Sequence, residues 1–138
     1  MAARKDQIPK IMRQLISVAE QIIKKVAFDI QANLVRAASQ GGTPVDTGWA
    51  RANWLVNVGT PFLAPLGEYT GKTTTVRVGT GLSSIATYKL GPKVFISNNV
   101  PYITRLNEGS STQAPKGFVQ AAILRAVTSL RTVKVVLA

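Results

Sequence analysis

The most constraining feature of this sequence is a long segment in which apolar residues recur at alternating spacings of four and three. It runs from residue 6 to about residue 39. Residues at these spacings share one side of an α-helix, so the pattern predicts a single amphipathic helix. We expect Gly41-Gly42 to end it, because glycine adopts the left-handed capping conformation without strain. The apolar side comprises Ile8, Met12, Leu15, Ala19, Ile22 and Val26, widened by Ile11, Val18, Ile23, Ile30 and Leu34.

A helix of this length has two interpretations. In the first, the whole apolar side packs along the sheet of its own domain. In the second, a helix of roughly 45–50 Å, at 1.5 Å per residue, is longer than one small domain can cover. Part of its apolar side would then pack on a neighbouring subunit. The sequence leaves both interpretations open.

Short strands are predicted in the middle of the chain. Period-two alternation indicates a strand over residues 53–60, with Trp54, Val56 and Val58 on one face, and a second strand over residues 93–97. Residues 61–81 are predicted to form a long loop or arm, with one short strand at 74–78. Residues 132–138, at the end of the chain, also alternate like a strand.

Short helical segments are predicted between and after these strands. Asp46 suits the N-cap of a turn that includes Trp49 and Arg51. Ser83-Ser84 suit the cap of a helix reaching about residue 90, residues 101–106 form one turn, and Pro115 suits the first turn of the last helix. The expected fold is therefore one α+β domain over residues 1–138. A long N-terminal helix and a C-terminal helix pack on a small, mostly antiparallel sheet, with a long central loop.

The residue types argue against catalysis. The chain has no cysteine and no histidine, so the commonest metal ligands and the usual base near neutral pH are missing. Asp46 and Glu108 are the acids able to approach one another, but each has a simpler role, Asp46 as a cap and Glu108 as a partner of Arg51 or Arg105. Residues 67–73 resemble a phosphate-binding loop with one residue too few between its glycines. We therefore expect no enzyme, no catalytic residue, no metal and no cofactor.

Charge points to an anionic partner. Seventeen Lys and Arg against six Asp and Glu give a formal net charge of +11. Such a chain is attracted to nucleic acid, anionic membranes or acidic protein surfaces. Sequence-independent DNA binding is accordingly the alternative function, although no known nucleic-acid-binding motif is present. No apolar run reaches the roughly 18–20 residues that cross a bilayer, so we expect a soluble chain in the cytosol, without membrane contact.

Three separated motifs resemble a family of tailed-bacteriophage proteins, the tail-component or tail-completion proteins of the head–tail junction (neck). In that family a long helix is followed by Thr-Pro-Val-Asp-Thr-Gly, then by Ile-x-Asn-x-x-Pro-Tyr leading to Leu-Glu-x-Gly, then by Gln-Ala-Pro-x-Gly. This chain has the first motif intact at 43–48, the second from Ile96 to Gly109, and the third at 113–117. The motif and interface candidates are Asp46, Thr47, Gly48, Arg51, Asn98, Pro101, Tyr102, Arg105, Glu108, Gly109, Gln113 and Pro115.

Two positions depart from the family pattern. Trp49 stands where relatives often have a basic residue, and the acid expected at position 107 is found one residue later, at Glu108. The resemblance covers about residues 6–130 and does not extend to residues 61–81.

The resemblance implies structural work in a virion. It implies a homo-oligomeric ring, expected to be hexameric, that caps or completes the tail and helps to join it to the DNA-filled head. Its partners would be adjacent neck, connector and tail-tube proteins. DNA would pass through the channel without sequence-specific contact, and assembly would take place in the host cytoplasm.

The charge adds a hypothesis about orientation. If every basic residue faced the channel, phosphate contacts would slow the passage of DNA. We therefore expect most basic residues to face acidic neighbouring rings or the outside. A pore lined by Lys24, Lys25, Arg77 and Lys93 together would contradict this expectation.

Overall fold

A computed structural model of the chain describes residues 2–45, 48–67 and 80–132. The α-helices and strands within these ranges are α1 (Ala2–Val35), α2 (Trp49–Ala52), β1 (Leu55–Val58), α3 (Leu82–Ala86), β2 (Val94–Ser97), α4 (Ile103–Asn107) and α5 (Phe118–Ser129), with 3₁₀ turns at Ala38–Gln40 and Leu130–Thr132.

The predicted α+β class is confirmed. Strands β1 and β2 form a two-stranded antiparallel sheet in which Leu55 lies opposite Ser97 and Val58 lies opposite Val94. Helices α1 and α5 pack against each other and, with the sheet, enclose the core. The strand predicted at residues 74–78 and the strand-like segment at 133–138 lie outside the described residues.

The long helix is confirmed, but the prediction that it reaches residue 39 is wrong. Helix α1 ends at Val35 because Thr43 takes over the carbonyl of Leu34, through its backbone N–H at 2.9 Å and its Oγ1 at 2.6 Å. Gly41 does adopt a left-handed conformation, but it closes the following 3₁₀ turn. Gly42 is required for a different reason, since a Cβ there would lie 1.9 Å from the carbonyl oxygen of Arg36.

Three predicted helix starts are corrected. Gly48, in a left-handed conformation, occupies the cap position of α2, so Asp46 does not, and Asp46 itself lies outside the described residues. Gly81 precedes α3, which places Ser83 and Ser84 inside that helix. Gly117 precedes α5, two residues after Pro115. In each case a glycine with positive φ turns the chain into the helix, which the polar or proline caps were expected to do.

The core consists of two clusters around the C-terminal half of α1. The first contains Leu34, Trp54 and Phe118 with two alanines, and the second contains Ala27, Val56 and Ile85. Trp54 directly precedes β1, and it, Leu55 and Val56 are all buried. Both faces of the chain are therefore covered where β1 begins, although the alternation predicted one covered face.

Gly81 shows how closely the chain passes the outer edge of β1. The backbone N–H of Val56 donates to the carbonyl of Thr80 at 3.1 Å. A Cβ on Gly81 would lie 1.7 Å from the Val56 carbonyl oxygen, and its φ of +91° disfavours other residues. The segment after the central loop is thus held against the sheet by backbone contacts.

The N-terminal half of α1 lies outside the core. Its large apolar side chains are 42–63% exposed, whereas Leu34 near the C-terminal end is 1% exposed. The first interpretation of the helix, packing on its own domain, therefore holds only for the C-terminal half. Residues 7–16 extend beyond the domain, as the second interpretation expected. Its neighbouring subunit remains a prediction.

Candidate assembly surface

The three motif segments, far apart in sequence, meet around one groove of about 370 Å³. We call this the motif groove. It is lined by Pro44, Val45, Gly48, Trp49, Ala50, Tyr102, Leu106, Ser111 and Gln113. Most of this lining is apolar, and the polar groups are few and fixed by hydrogen bonds. Such a surface can receive an apolar side chain or a short segment of a partner.

Gln113 joins the first motif to the third. The backbone N–H of Val45 donates to Gln113 Oε1 at 2.9 Å, and Gln113 Nε2 donates to the carbonyl of Val45 at 3.0 Å. The side-chain amide thus pairs with one residue in the way a neighbouring strand would. This double contact fixes the polar loop before α5 against the segment that follows α1.

Trp49 and Tyr102 form the aromatic wall of the motif groove. Their ring centroids are 6.1 Å apart with an interplanar angle of 58°, a tilted geometry favourable for aromatic pairs. Trp49 Nε1 donates to the carbonyl of Leu66 at 3.0 Å. Asn53 holds the same residue from the other side, since its Oδ1 accepts the Leu66 N–H at 2.7 Å and its Nδ2 donates to the Leu66 carbonyl at 3.0 Å. The start of the central loop is therefore tied to the wall.

Asn98 connects the second motif to the first. Its Nδ2 donates to the carbonyl of Ala50 in α2 at 2.8 Å, and its Oδ1 accepts the N–H of Val100 at 3.1 Å. The second contact is an Asx turn, which directs the chain from β2 into the Pro101-Tyr102 segment. Asn98 thereby sets the position of Tyr102 in the wall.

A buried threonine links the motif groove to the long helix. Thr43 is fully buried, donates from its Oγ1 to the Leu34 carbonyl, and accepts Trp54 Nε1–H at 2.7 Å. The first motif therefore packs at the end of α1. An indole N–H in this interior needs such an acceptor, because an unpaired buried donor is costly.

Asn107 occupies the position where the resemblance expects glutamate. Its Oδ1 accepts the N–H of Val119, in the first turn of α5, at 3.0 Å, and its carbonyl accepts the N–H of Gly117 at 2.7 Å. Asn107 therefore caps α5 from a distance. The displaced acid, Glu108, is exposed.

The predicted motif residues divide into three groups. Gly48, Tyr102 and Gln113 line the motif groove, with Asn98 one hydrogen bond away. Those on or near the exposed surface of α4 and the following loop are Pro101, Arg105, Glu108, Gly109 and Pro115. Asp46 and Thr47 lie outside the described residues.

The ion pair predicted for Glu108 does not form. Arg51, Arg105 and Glu108 all belong to the described residues, and neither arginine lies within ion-pair distance of the acid. Arg51 Nε is buried and has no hydrogen-bond partner among those residues. Glu108 is exposed, so solvation replaces the predicted partner.

The sequence did not identify several residues that build the groove. Trp49 was noticed only as a departure from the family pattern, and Thr43, Asn53 and Asn107 were not singled out at all. A cluster of short polar residues next to tryptophans was the available signal. It was insufficient, because each side chain finds its partner only after the chain has folded.

A second groove, between α1 and α5, collects positive charge. Lys25, Arg36 and Arg125 line an open cleft of about 610 Å³ that also contains Asp29. We call this the basic groove. Lys25 Nζ lies 2.5 Å from Asp29 Oδ2, the one ion pair found among residues 2–45, 48–67 and 80–132. Most cations in that part of the chain are therefore uncompensated by acids of the same chain.

Comparison with known proteins does not place the chain in a family: no protein-family model matches it, and no curated protein or solved structure is significantly similar. Among the described residues, no three acidic, histidine or cysteine side chains come together as a metal site. None of the helices described is sufficiently long and apolar to span a membrane.

Proposed function

We propose that this chain is a structural protein of a tailed-phage head–tail junction. In this proposal it forms a homo-oligomeric ring, hexameric to match the symmetry of a tail tube, that completes the tail and helps to join it to the head. The ring assembles in the host cytoplasm and remains in the virion. The chain carries out no catalysis and binds no cofactor.

The observation that supports this proposal most directly is the convergence of the three family-like motifs. Val45 and Gln113 are paired through two hydrogen bonds although 68 positions separate them, and Trp49 lies against Tyr102. Motifs that resemble one family only in order and spacing thus build a single surface. That is expected of segments selected together for one contact.

Within a ring, the motif groove would meet an adjacent neck, connector or tail-tube protein. Its wall combines aromatic rings with a few satisfied polar groups, a composition enriched at protein contacts. Exposed Arg105 and Glu108 would lie at the rim, where charges contribute mainly to orientation and association rate.

The cations would face outwards or towards acidic neighbouring rings. Lys25 is already paired with Asp29, and Lys93 is exposed. DNA would then pass through the channel without being held by phosphate contacts.

Deleting the encoding gene from its phage tests the proposal. We expect separate heads and tails by electron microscopy, and joined particles again when the protein is supplied from a plasmid. Gln113→Ala should restore joining less well than Gln120→Ala, a matched change on exposed α5. Joined, infectious particles without the chain would refute the proposal.

Sequence-independent DNA binding is the second candidate, favoured by the basic groove and the net charge of +11. It predicts fluorescence-anisotropy binding to unrelated duplexes with equal affinity, and a steep loss of affinity as salt rises. Replacing both Arg36 and Arg125 with Gln should then reduce the salt slope by about two contacts. An unchanged slope would remove this candidate.

A further inference from the structure

The N-terminal half of α1 carries an apolar surface that its own chain does not cover. Ile8 is 58% exposed, Met12 57% and Leu15 63%. At 100° per residue these side chains share one side of the helix, while Lys10 and Arg13 fall on the other. We call this surface the N-terminal stripe. Its members are Ile8, Ile11, Met12, Leu15 and Ile16, all 42–63% exposed.

A second uncovered apolar surface lies at the other end of the molecule. A groove of about 260 Å³ runs between the C-terminal half of α1, α5 and the sheet, and every side chain that lines it is apolar in character. We call this the apolar groove. It is lined by Ile30, Leu34, Trp54, Val94, Ile96, Val119 and Ile123.

The two surfaces cannot cover each other within one chain. Both belong to α1, which is continuous from Ala2 to Val35. Leu15 and Ile30 are 15 residues apart, so they are separated by about 22 Å along a helix that rises 1.5 Å per residue. A second molecule is required to cover either surface.

We propose that the N-terminal stripe of one copy lies in the apolar groove of the next copy. This inference rests on the proposed ring-forming function and names the contact that closes the ring. Stripe and groove are different surfaces, so the contact is head-to-tail, and its repetition generates a ring when the rotation closes. A cleft between a helix pair and a sheet suits one further helix at the 8–10 Å spacing of packed helices.

The size of the stripe is consistent with a stable contact. Five large side chains, each about half exposed, form a patch of at least the few hundred Å² that a soluble monomer exposes in one piece. This is on the order of half of the roughly 800 Å² that each partner contributes to a standard interface. The flanks of the helix supply the remainder.

Charge separates this contact from DNA binding. Lys10 and Arg13 flank the stripe, Lys93 precedes β2 at the groove, and the net charge is +11, so the copies repel one another. Salt screens this repulsion without weakening apolar contact. Self-association should therefore be at least as strong at about 0.5 M salt as at about 0.1 M, and an oligomer that dissociates in the higher salt would overturn the inference.

Two single substitutions with matched controls test the contact. Leu15→Glu places a charge in the stripe, and Gln14→Glu places the same charge one residue away on another side of α1. Ile123→Glu does so in the apolar groove, and Leu124→Glu is its exposed neighbour on α5. Circular dichroism and melting should show that all four fold. By light scattering and sedimentation, Leu15→Glu and Ile123→Glu should each weaken self-association at least about a hundredfold, while both controls assemble like the original protein.

Mixing the two defective variants gives the decisive measurement. Leu15→Glu keeps an intact groove, and Ile123→Glu keeps an intact stripe, so an equimolar mixture should form one-to-one dimers and nothing larger. A mixture that stays monomeric while the original protein assembles would overturn the proposal. So would an oligomer that persists in Ile123→Glu, because a symmetric stripe-to-stripe contact would then explain assembly.

The outcomes also separate this inference from the proposed function. If the variants assemble normally and still join heads to tails, the contact is wrong and the function stands. If the mixture forms dimers but deletion of the gene leaves joining intact, the contact stands and the function is wrong. An original protein that stays monomeric at high concentration would overturn the contact.

Discussion

Replacing Leu15 and Leu34 separately with Ala should separate folding from assembly along one helix. Both leucines belong to α1, and the chemical change is the same. Leu34 is 1% exposed and packs in the cluster with Trp54 and Phe118, whereas Leu15 is 63% exposed. The substitution therefore removes buried contacts at one end of the helix and mostly solvated surface at the other.

The expected magnitudes follow from burial. Leu34→Ala should reduce the free energy of unfolding by about 2–5 kcal/mol, the range for leucines truncated in a packed core. At about 3 kcal/mol, a domain of this size should melt roughly 10 °C lower. Burying a leucine completely is worth about 1.5–3 kcal/mol, and Leu15 is only about one-third covered, so Leu15→Ala should cost about 0.5 kcal/mol or less. The higher helix propensity of alanine offsets part of that cost.

Urea unfolding followed by circular dichroism measures both effects, at a concentration where light scattering shows monomer, because assembly adds apparent stability. In concentrated samples the order should reverse. Leu15→Ala should lose oligomer while Leu34→Ala, once folded, retains it. If Leu15→Ala lowered the unfolding free energy of the monomer as much as Leu34→Ala, the N-terminal stripe would have to be covered by its own chain, and our account of α1 would be wrong.

Three further predictions concern the core and the first motif. Trp54→Ala should cost about 3–5 kcal/mol and Trp49→Ala clearly less, because Trp54 is 6% exposed and Trp49 is partly exposed; equal losses in urea unfolding would contradict this order. Thr43→Val should cost about 1–3 kcal/mol, since it leaves the Trp54 indole N–H buried without its acceptor, whereas a neutral effect would show that the indole finds another partner. Gly81→Ala should cost more than about 1 kcal/mol because of its positive φ and its approach to Val56, and an unchanged melting temperature would refute that reading of the backbone.

The motif groove gives a physical meaning to a resemblance of order and spacing. Gln113 pairs with Val45, and Asn98 contacts Ala50, so each later motif is bonded to the first. These contacts account for side chains that a helix or strand pattern alone would not require. They also explain why Asn107 can replace an acid, since its amide oxygen caps α5.

The sequence by itself determined the elements that depend on neighbours along the chain. The period of α1, the alternation in β1 and β2, and the short turn from Ile103 are local patterns, and each element appears where its pattern predicts it. The α+β class followed from their order. Composition and charge likewise depend on no contact, so the expectation of an anionic partner could be stated from the residues alone.

Tertiary structure decided which parts of those elements are covered and where they end. The same apolar pattern runs through both halves of α1, yet only the C-terminal half meets the sheet and α5. The helix ends where Thr43 takes the Leu34 carbonyl, and the motif groove exists because Gln113 reaches Val45. A local pattern specifies the side of an element that is apolar, but the partner that covers it is chosen by chain packing between residues distant in sequence.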